Sequence, residues 1–171
     1  MVKIFGKSIS AMVFMEAVFL LFAAGYFFTN AADRYGYHFL DNVDLAIHET
    51  GHVFFAFLGE FLAMAGGTIL QLLVPLAFAA YFFTRGRSFS AGIVMLWLGQ
   101  SFINVARYAG DAVKMELPLV GGGMHDWNYL LSSLNILDKT MLISNTFYYS
   151  GVAIIVAGVI FAVVALSKGK E

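Results

Sequence analysis

The chain has no cysteine, only two prolines and few charges among its 171 residues. Without cysteine there is no disulfide framework and no thiolate metal site, so any metal must be held by His, Asp, Glu or Asn. Charged residues make up 12% of the chain, against roughly 25% in a soluble domain. Ten Lys and Arg with eleven Asp and Glu leave too little polar cover for a soluble monomer, and a bilayer is the consistent solvent. A formal net charge of −1 argues against nucleic acid as a partner. The length fits one domain, 1–171.

What the chain does have is long apolar runs. Lys3 and Lys7 precede a run from about Ile9 to Phe28, close to the ~20 residues that span hydrocarbon. It exceeds the ~7–15-residue core of a signal peptide, so a retained helix is expected. Residues 30–44 read as a polar, aromatic loop, with Asp41, Asn42 and Asp44 as caps for the helix that follows. Next come a helix near 44–60, a break over 60–67 around Gly66-Gly67, and a helix near 68–84 that Pro75 can kink. A long helix is expected over 88–114, a short amphipathic stretch before Leu137, and a last helix over 140–166. The expected fold is therefore an all-α, polytopic integral membrane bundle of four to five transmembrane helices.

Counting Lys and Arg, which favour the cytoplasmic side, chooses between two topologies. If 44–67 is a partial or re-entrant segment, Lys3, Lys7, Arg85, Arg87, Lys168 and Lys170 share one side. The other side then gathers Asp33, Asp41, Asp44, Asp111, Glu116, Asp126 and Asp138 with fewer basic residues. If 44–60 crosses fully, the basic residues split evenly and no bias remains. The first arrangement is expected, with both termini cytoplasmic, in a plasma (inner) membrane.

His48-Glu49-Thr50-Gly51-His52 matches H-E-x-x-H. On a helix, i and i+4 share a face, so both imidazoles can bind one Zn2+, and the Glu beside them can act on the activated water. Ionisable groups in an apolar helix are costly and functional by default. A catalytic zinc takes a third protein ligand. On the helix 88–114, Gln100, Asn104, Arg107, Tyr108 and Asp111 recur at three- and four-residue spacing and form one polar stripe that must face the protein interior. Asp111, His125 and Asp126 fall on the same membrane side as the start of the His48 helix, which makes them the candidate ligands.

Over about 44–114 the chain resembles the site-2 protease superfamily of intramembrane zinc metalloproteases. In that family one helix bears H-E-x-x-H and a later helix brings an Asp ligand in an N-x-x-P-x-P-x-L-D-G pattern. The resemblance implies His48 and His52 as ligands, Glu49 as catalytic base and Asp111 as third ligand. Asn104 matches the family's Asn loosely, and the stretch to Asp111 has neither proline.

His125, after three glycines, is the rival third ligand or a donor to the oxyanion, a role Asn104 can also fill. The plain reading of this segment is a loop His, Asp126 as N-cap of a short helix and Trp127 at the interface. Glu16, in the first span, reads either as a hydrogen-bond partner behind a metal-binding His, a role Asp126 can share, or as a polar contact to Arg107, Gln100 or Asn104. His38 reads as a surface residue, Glu60 as reaching the interface and Gln71 as an interhelical hydrogen bond.

The activity expected is zinc-dependent endopeptidase hydrolysis of a membrane protein or peptide substrate, with Glu49 moving the proton. Leu117 to Gly123 can pair with an extended substrate strand. The alternatives are a membrane zinc hydrolase of lipid amides or esters, and a non-catalytic zinc-binding membrane protein. Nothing in the sequence sets an oligomeric state.

Overall fold

The computed structural model describes residues 2–4, 7–120 and 123–168. Gly121, Gly122 and Lys170, which enter the sequence reading, lie outside the described residues. A short antiparallel hairpin, β1 (Val2–Ile4) and β2 (Lys7–Ile9), precedes the helices. These are α1 (Ala11–Ala32), α2 (Asp41–Phe55), α3 (Glu60–Thr84), α4 (Ser88–Gly110), α5 (Asp126–Ser133) and α6 (Thr140–Lys168).

Among the described residues, four segments are long and apolar enough to cross a bilayer: α1, α3, α4, and Leu137–Lys168 containing α6. At 1.5 Å per residue, the 15 residues of α2 reach roughly 22 Å, short of the ~30 Å hydrocarbon core. The protein is thus an all-α polytopic membrane bundle with one partial helix bearing His48 and His52.

Helix α4 is the central element. Lipid supplies no hydrophobic drive between helices, so association rests on close packing at small residues. Gly92 and Gly99 of α4 meet Gly158 and Gly151 of α6, and a Cβ on Gly99 would lie 2.6 Å from the Gly151 carbonyl. Leu20 and Phe27 of α1, Leu96 and Ile103 of α4 and Ile155 of α6 fill the core beside this seam.

The α2–α3 hairpin differs from the sequence expectation. The break falls at Ala56–Leu58, a 3-10 turn, and Gly59, whose φ of 94° suits a residue without a Cβ. Gly66 and Gly67 lie inside a continuous α3 instead of breaking it. Their purpose is proximity: a Cβ on Gly51 would run into the Gly66 carbonyl, and a Cβ on Gly67 would run into the His48 imidazole. Helix α2 also begins earlier than expected. Asp41 and Asp44 do not cap it but turn inward, both buried. The Nε1 of Trp97 and the Oγ of Ser101 donate to Asp44 Oδ1 at 2.9 and 3.0 Å. Gln100 Nε2 donates to Asp41.

The segment after α1 is pinned across the bundle. Arg34 Nη2 donates to Ser144 Oγ at 2.8 Å, and Tyr148 Oη donates to the Ala31 carbonyl at 2.9 Å. Arg107 Nη1 donates to the Gly36 carbonyl at 3.1 Å. His38 is half-buried here, between Asp33 and Asp41, rather than a free surface group.

Candidate metal centre

His48 and His52 stand one turn apart on α2, as the i, i+4 spacing requires, with ring centroids 4.8 Å apart. Asp126, the first residue of α5, reaches them from the other side. Its Oδ2 lies 2.9 Å from His48 Nε2 and 3.2 Å from His52 Nε2. His48 and Asp126 are buried and His52 is half-buried, and their ligand atoms all lie within 4.8 Å of one another. Bonds near 2.0 Å place neighbouring ligands of a four-coordinate zinc about 3.3 Å apart, which the two distances to Asp126 Oδ2 nearly match. This group can hold a metal ion.

The remaining ring nitrogens sharpen that reading. His52 Nδ1 lies 2.8 Å from the Ala63 carbonyl, and His48 Nδ1 lies 3.1 Å from Gln71 Oε1. The Gln71 amide is oriented by its other end, which donates to Asn104 Oδ1 at 2.9 Å. Carbonyl oxygens only accept, so Nδ1 carries the proton in both rings and each Nε2 points a lone pair at a carboxylate. Two lone pairs facing one anion repel unless a positive charge stands between them, either an imidazolium proton or a metal ion. Carbonyls behind both Nδ1 atoms are the usual support of metal-binding histidines.

Without a metal, the proton takes that place. The hydrogen bond to Asp126 raises the His52 pKa to about 9, against the opposing effect of burial. Burial alone would raise Asp126, but its bonds to His48 and His52 prevail and hold it down at about 2.

Glu49 is half-buried beside the group and has no hydrogen-bond or ion-pair partner among the described residues. It lines two cavities, of about 450 Å³ and about 210 Å³, and Tyr108, Leu119 and Val120 line both as well. Glu49 and Tyr108 therefore stand where the two spaces adjoin. Tyr108 Oη accepts from the Asp126 backbone N–H at 3.3 Å and keeps its own proton to donate. The Asn104 amide lines the larger cavity.

The other expected ligands are elsewhere. Asp111 ends α4, and its two oxygens accept from the backbone N–H groups of Glu116 (3.1 Å) and Leu117 (2.9 Å). These bonds fold the chain back after the helix and take up the carboxylate. His125, not Asp126, caps α5: its Nδ1 accepts from Asn128 N–H at 3.3 Å. That frees the Asp126 side chain to face the histidines. His125 Nε2 lies 3.4 Å from Asp111 Oδ2, so these two rival ligands face each other, apart from the His48–His52–Asp126 group. Burial lowers the His125 pKa.

Glu16 also lies apart. Asn30 is the part of α1 that lines the space near Asn104 and Arg107, and Glu16 is roughly 21 Å further along the helix axis at 1.5 Å per residue. Its expected contacts to a metal histidine, Arg107, Gln100 or Asn104 are absent among the described residues. The polar stripe of α4 does face inward, through Gln100, Asn104, Arg107 and Tyr108. The sequence places Asp126 among the candidate ligands but reads it as an N-cap or as support for a metal His, behind Asp111 and His125. The available signal was His125 just before it, a residue able to take the cap in its place.

In comparison with known proteins, no family model, no curated protein and no solved structure matches this chain.

Proposed function

We propose that the protein is a zinc-dependent intramembrane endopeptidase, with His48, His52 and Asp126 as metal ligands and Glu49 as general base. The observation that carries this reading is the convergence of two Nδ1-tethered histidines and one carboxylate on a common point, next to an unpartnered Glu at i+1 of the first histidine. His48, His52 and Asp126 would hold a zinc ion, which would supply an acidified water and a Lewis acid for the scissile carbonyl.

The chain's own groups account for the rest. Glu49 takes the proton of the attacking water and returns it to the leaving amine. Tyr108 Oη and the Asn104 amide donate hydrogen bonds to the oxygen on which negative charge develops. Leu117 to Val120 form one wall of the larger cavity, a place for an extended substrate segment to pair. The substrate is a membrane protein or peptide, because the site is assembled on membrane-spanning α3 and α4 through Gln71, Asn104 and Tyr108. The resemblance to site-2 proteases supports the same reading, with Asp126 in the place of Asp111. Lys3 and Lys7 before α1, Arg85 and Arg87 between α3 and α4 and Lys168 at the end of α6 support cytoplasmic termini in a plasma (inner) membrane.

The apolar lining of the larger cavity favours one second reading, hydrolysis of lipid amides or esters by the same chemistry. Glu49→Gln in detergent, assayed on hydrophobic peptides and on lipid amides and esters in parallel, tests both. Zinc content should stay unchanged while turnover falls by about 10²–10⁴-fold. Turnover that survives the substitution removes Glu49 as the base in both readings, and absence of wild-type turnover on all of these substrates leaves a non-catalytic zinc protein.

A further inference from the structure

Arg107 lines the larger cavity together with His48 and Glu49. It is half-buried, and no carboxylate lies within ion-pair distance of it among the described residues. Of the five N–H donors of a guanidinium, one is used, by the Gly36 carbonyl at 3.1 Å. The ring of Tyr37 lies 5.5 Å from the guanidinium carbon. Two acids, Asp41 and Glu49, share the cavity, and neither lies within ion-pair distance of Arg107 among the described residues. One oxygen of Asp41 accepts from Gln100 and the other from the His38 N–H. Glu49 faces the metal group.

A cation withdrawn from water without a counter-ion is costly, and the cost is recovered when an anion joins it. The planar fork of arginine fits a carboxylate through two parallel hydrogen bonds. Beside it the wall is apolar, built from Leu45, Leu117, Pro118, Leu119 and Val120.

We infer that Arg107 anchors a carboxylate on the bound substrate or hydrolysis product, with an apolar substituent of that molecule lying along the Leu117–Val120 wall. This rests on the proposed hydrolase reading for the reaction, but the anchor itself is a binding property and is present without metal. A peptide with an apolar residue at a free C-terminus and a fatty acid both carry the required chemistry.

The test is isothermal titration of the metal-free protein in a zwitterionic detergent. One arm compares N-acetyl-Leu-Leu-Leu with its C-terminal amide, and the other compares dodecanoate with dodecanol. Wild type should bind at least one of the two acids about tenfold more tightly than its neutral counterpart, and the arm that responds identifies the source. Arg107→Gln should lose the preference while its affinity for the neutral probes stays the same, and Arg107→Lys should keep part of it. If Arg107→Gln does not fold, the acid-to-neutral ratio of wild type and of Arg107→Lys decides. Equal binding of acid and neutral probes in both arms overturns the anchor, as does a preference that survives in Arg107→Gln. Neither result depends on turnover, so failure of the anchor is distinguishable from failure of the hydrolase reading at Glu49→Gln.

Discussion

His48 Nε2 lies 2.9 Å from Asp126 Oδ2, a residue 78 positions further along the chain. Three elements make the pair possible. Glycines 51, 66 and 67 let α2 lie close on α3, Gln71 fixes the His48 ring, and the turn held by Asp111 sends the chain back so that α5 starts beside α2. A metal bound here would bridge α2 and α5.

Single substitutions should separate the ligands from their surroundings. His48→Ala, His52→Ala and Asp126→Ala should each weaken zinc binding by more than the ~10–100-fold typical of losing a group that only hydrogen-bonds a ligand. Gln71→Leu should fall within that range, since it removes only the acceptor behind His48. Asp111→Asn should retain zinc, because the side chain serves the turn after α4. Elemental analysis and competition with a chelating dye measure all five variants. Stoichiometric zinc in Asp126→Ala, or its loss in Asp111→Asn, would show the ligand set to be wrong.

The bundle was legible because its causes are local. Apolar length gives the four spans, and H-E-x-x-H gives two residues on one helical face. The inward face of α4 follows from the spacing of Gln100, Asn104 and Arg107. The third ligand was not legible, because which acid reaches the histidines depends on who satisfies the backbone nearby. Asp111 is spent on two N–H groups after α4, and His125 takes the cap that Asp126 would otherwise fill. The same competition explains α2: Asp41 and Asp44 resemble N-caps in sequence, but the polar groups of α4 draw them inward. Gly66-Gly67 resembles a helix break, yet its role is to admit another helix.

Gly67 offers a more local test of the histidine's support. A Cβ there would meet His48 Nε2 at 2.5 Å and the neighbouring ring carbons at 2.7 Å. Gly67→Ala should therefore push the ring out of line with Asp126 and weaken zinc binding, while the helix itself gains slightly from alanine. Gly25→Ala, where nothing lies within 4 Å of the added methyl, is the matched control and should leave zinc affinity unchanged. Equal affinities for the two variants would mean that the ring is not confined by α3.

The seam between α4 and α6 should be equally intolerant of added volume. Gly99→Leu places side-chain atoms where the Gly151 carbonyl and the Ile155 side chain stand at 2.6 Å from the first carbon alone. Overpacking of this kind costs about 1–3 kcal/mol or more. Thermal unfolding in detergent should show a clear loss for Gly99→Leu and for Gly151→Leu. A double variant, Gly99→Leu with Gly151→Leu, should not recover it, because the two side chains compete for one space. A melting temperature equal to wild type in either single variant would place the helix contact elsewhere.

Asp44 gives the fold a pH dependence whose sign can be worked out. Burial raises its pKa from the usual carboxylate value to about 6, with the neighbouring Asp41 adding to the shift and the bonds from Trp97 and Ser101 opposing it. Its second oxygen, Oδ2, is buried without a hydrogen-bond partner. The folded state therefore binds this proton more tightly than the unfolded chain does. The resulting stability is fully present below about pH 4 and is lost as the pH rises through about 6, after which the group adds no further slope. Two pKa units correspond to about 3 kcal/mol. Asp44→Asn keeps an oxygen for Trp97 and Ser101 but has no proton to lose. The difference between wild-type and Asp44→Asn unfolding curves should thus favour wild type at pH 4, shrink between pH 4 and 6, and stay constant above that. A difference that is flat across the whole range would mean that Asp44 titrates normally and that its burial does not desolvate it.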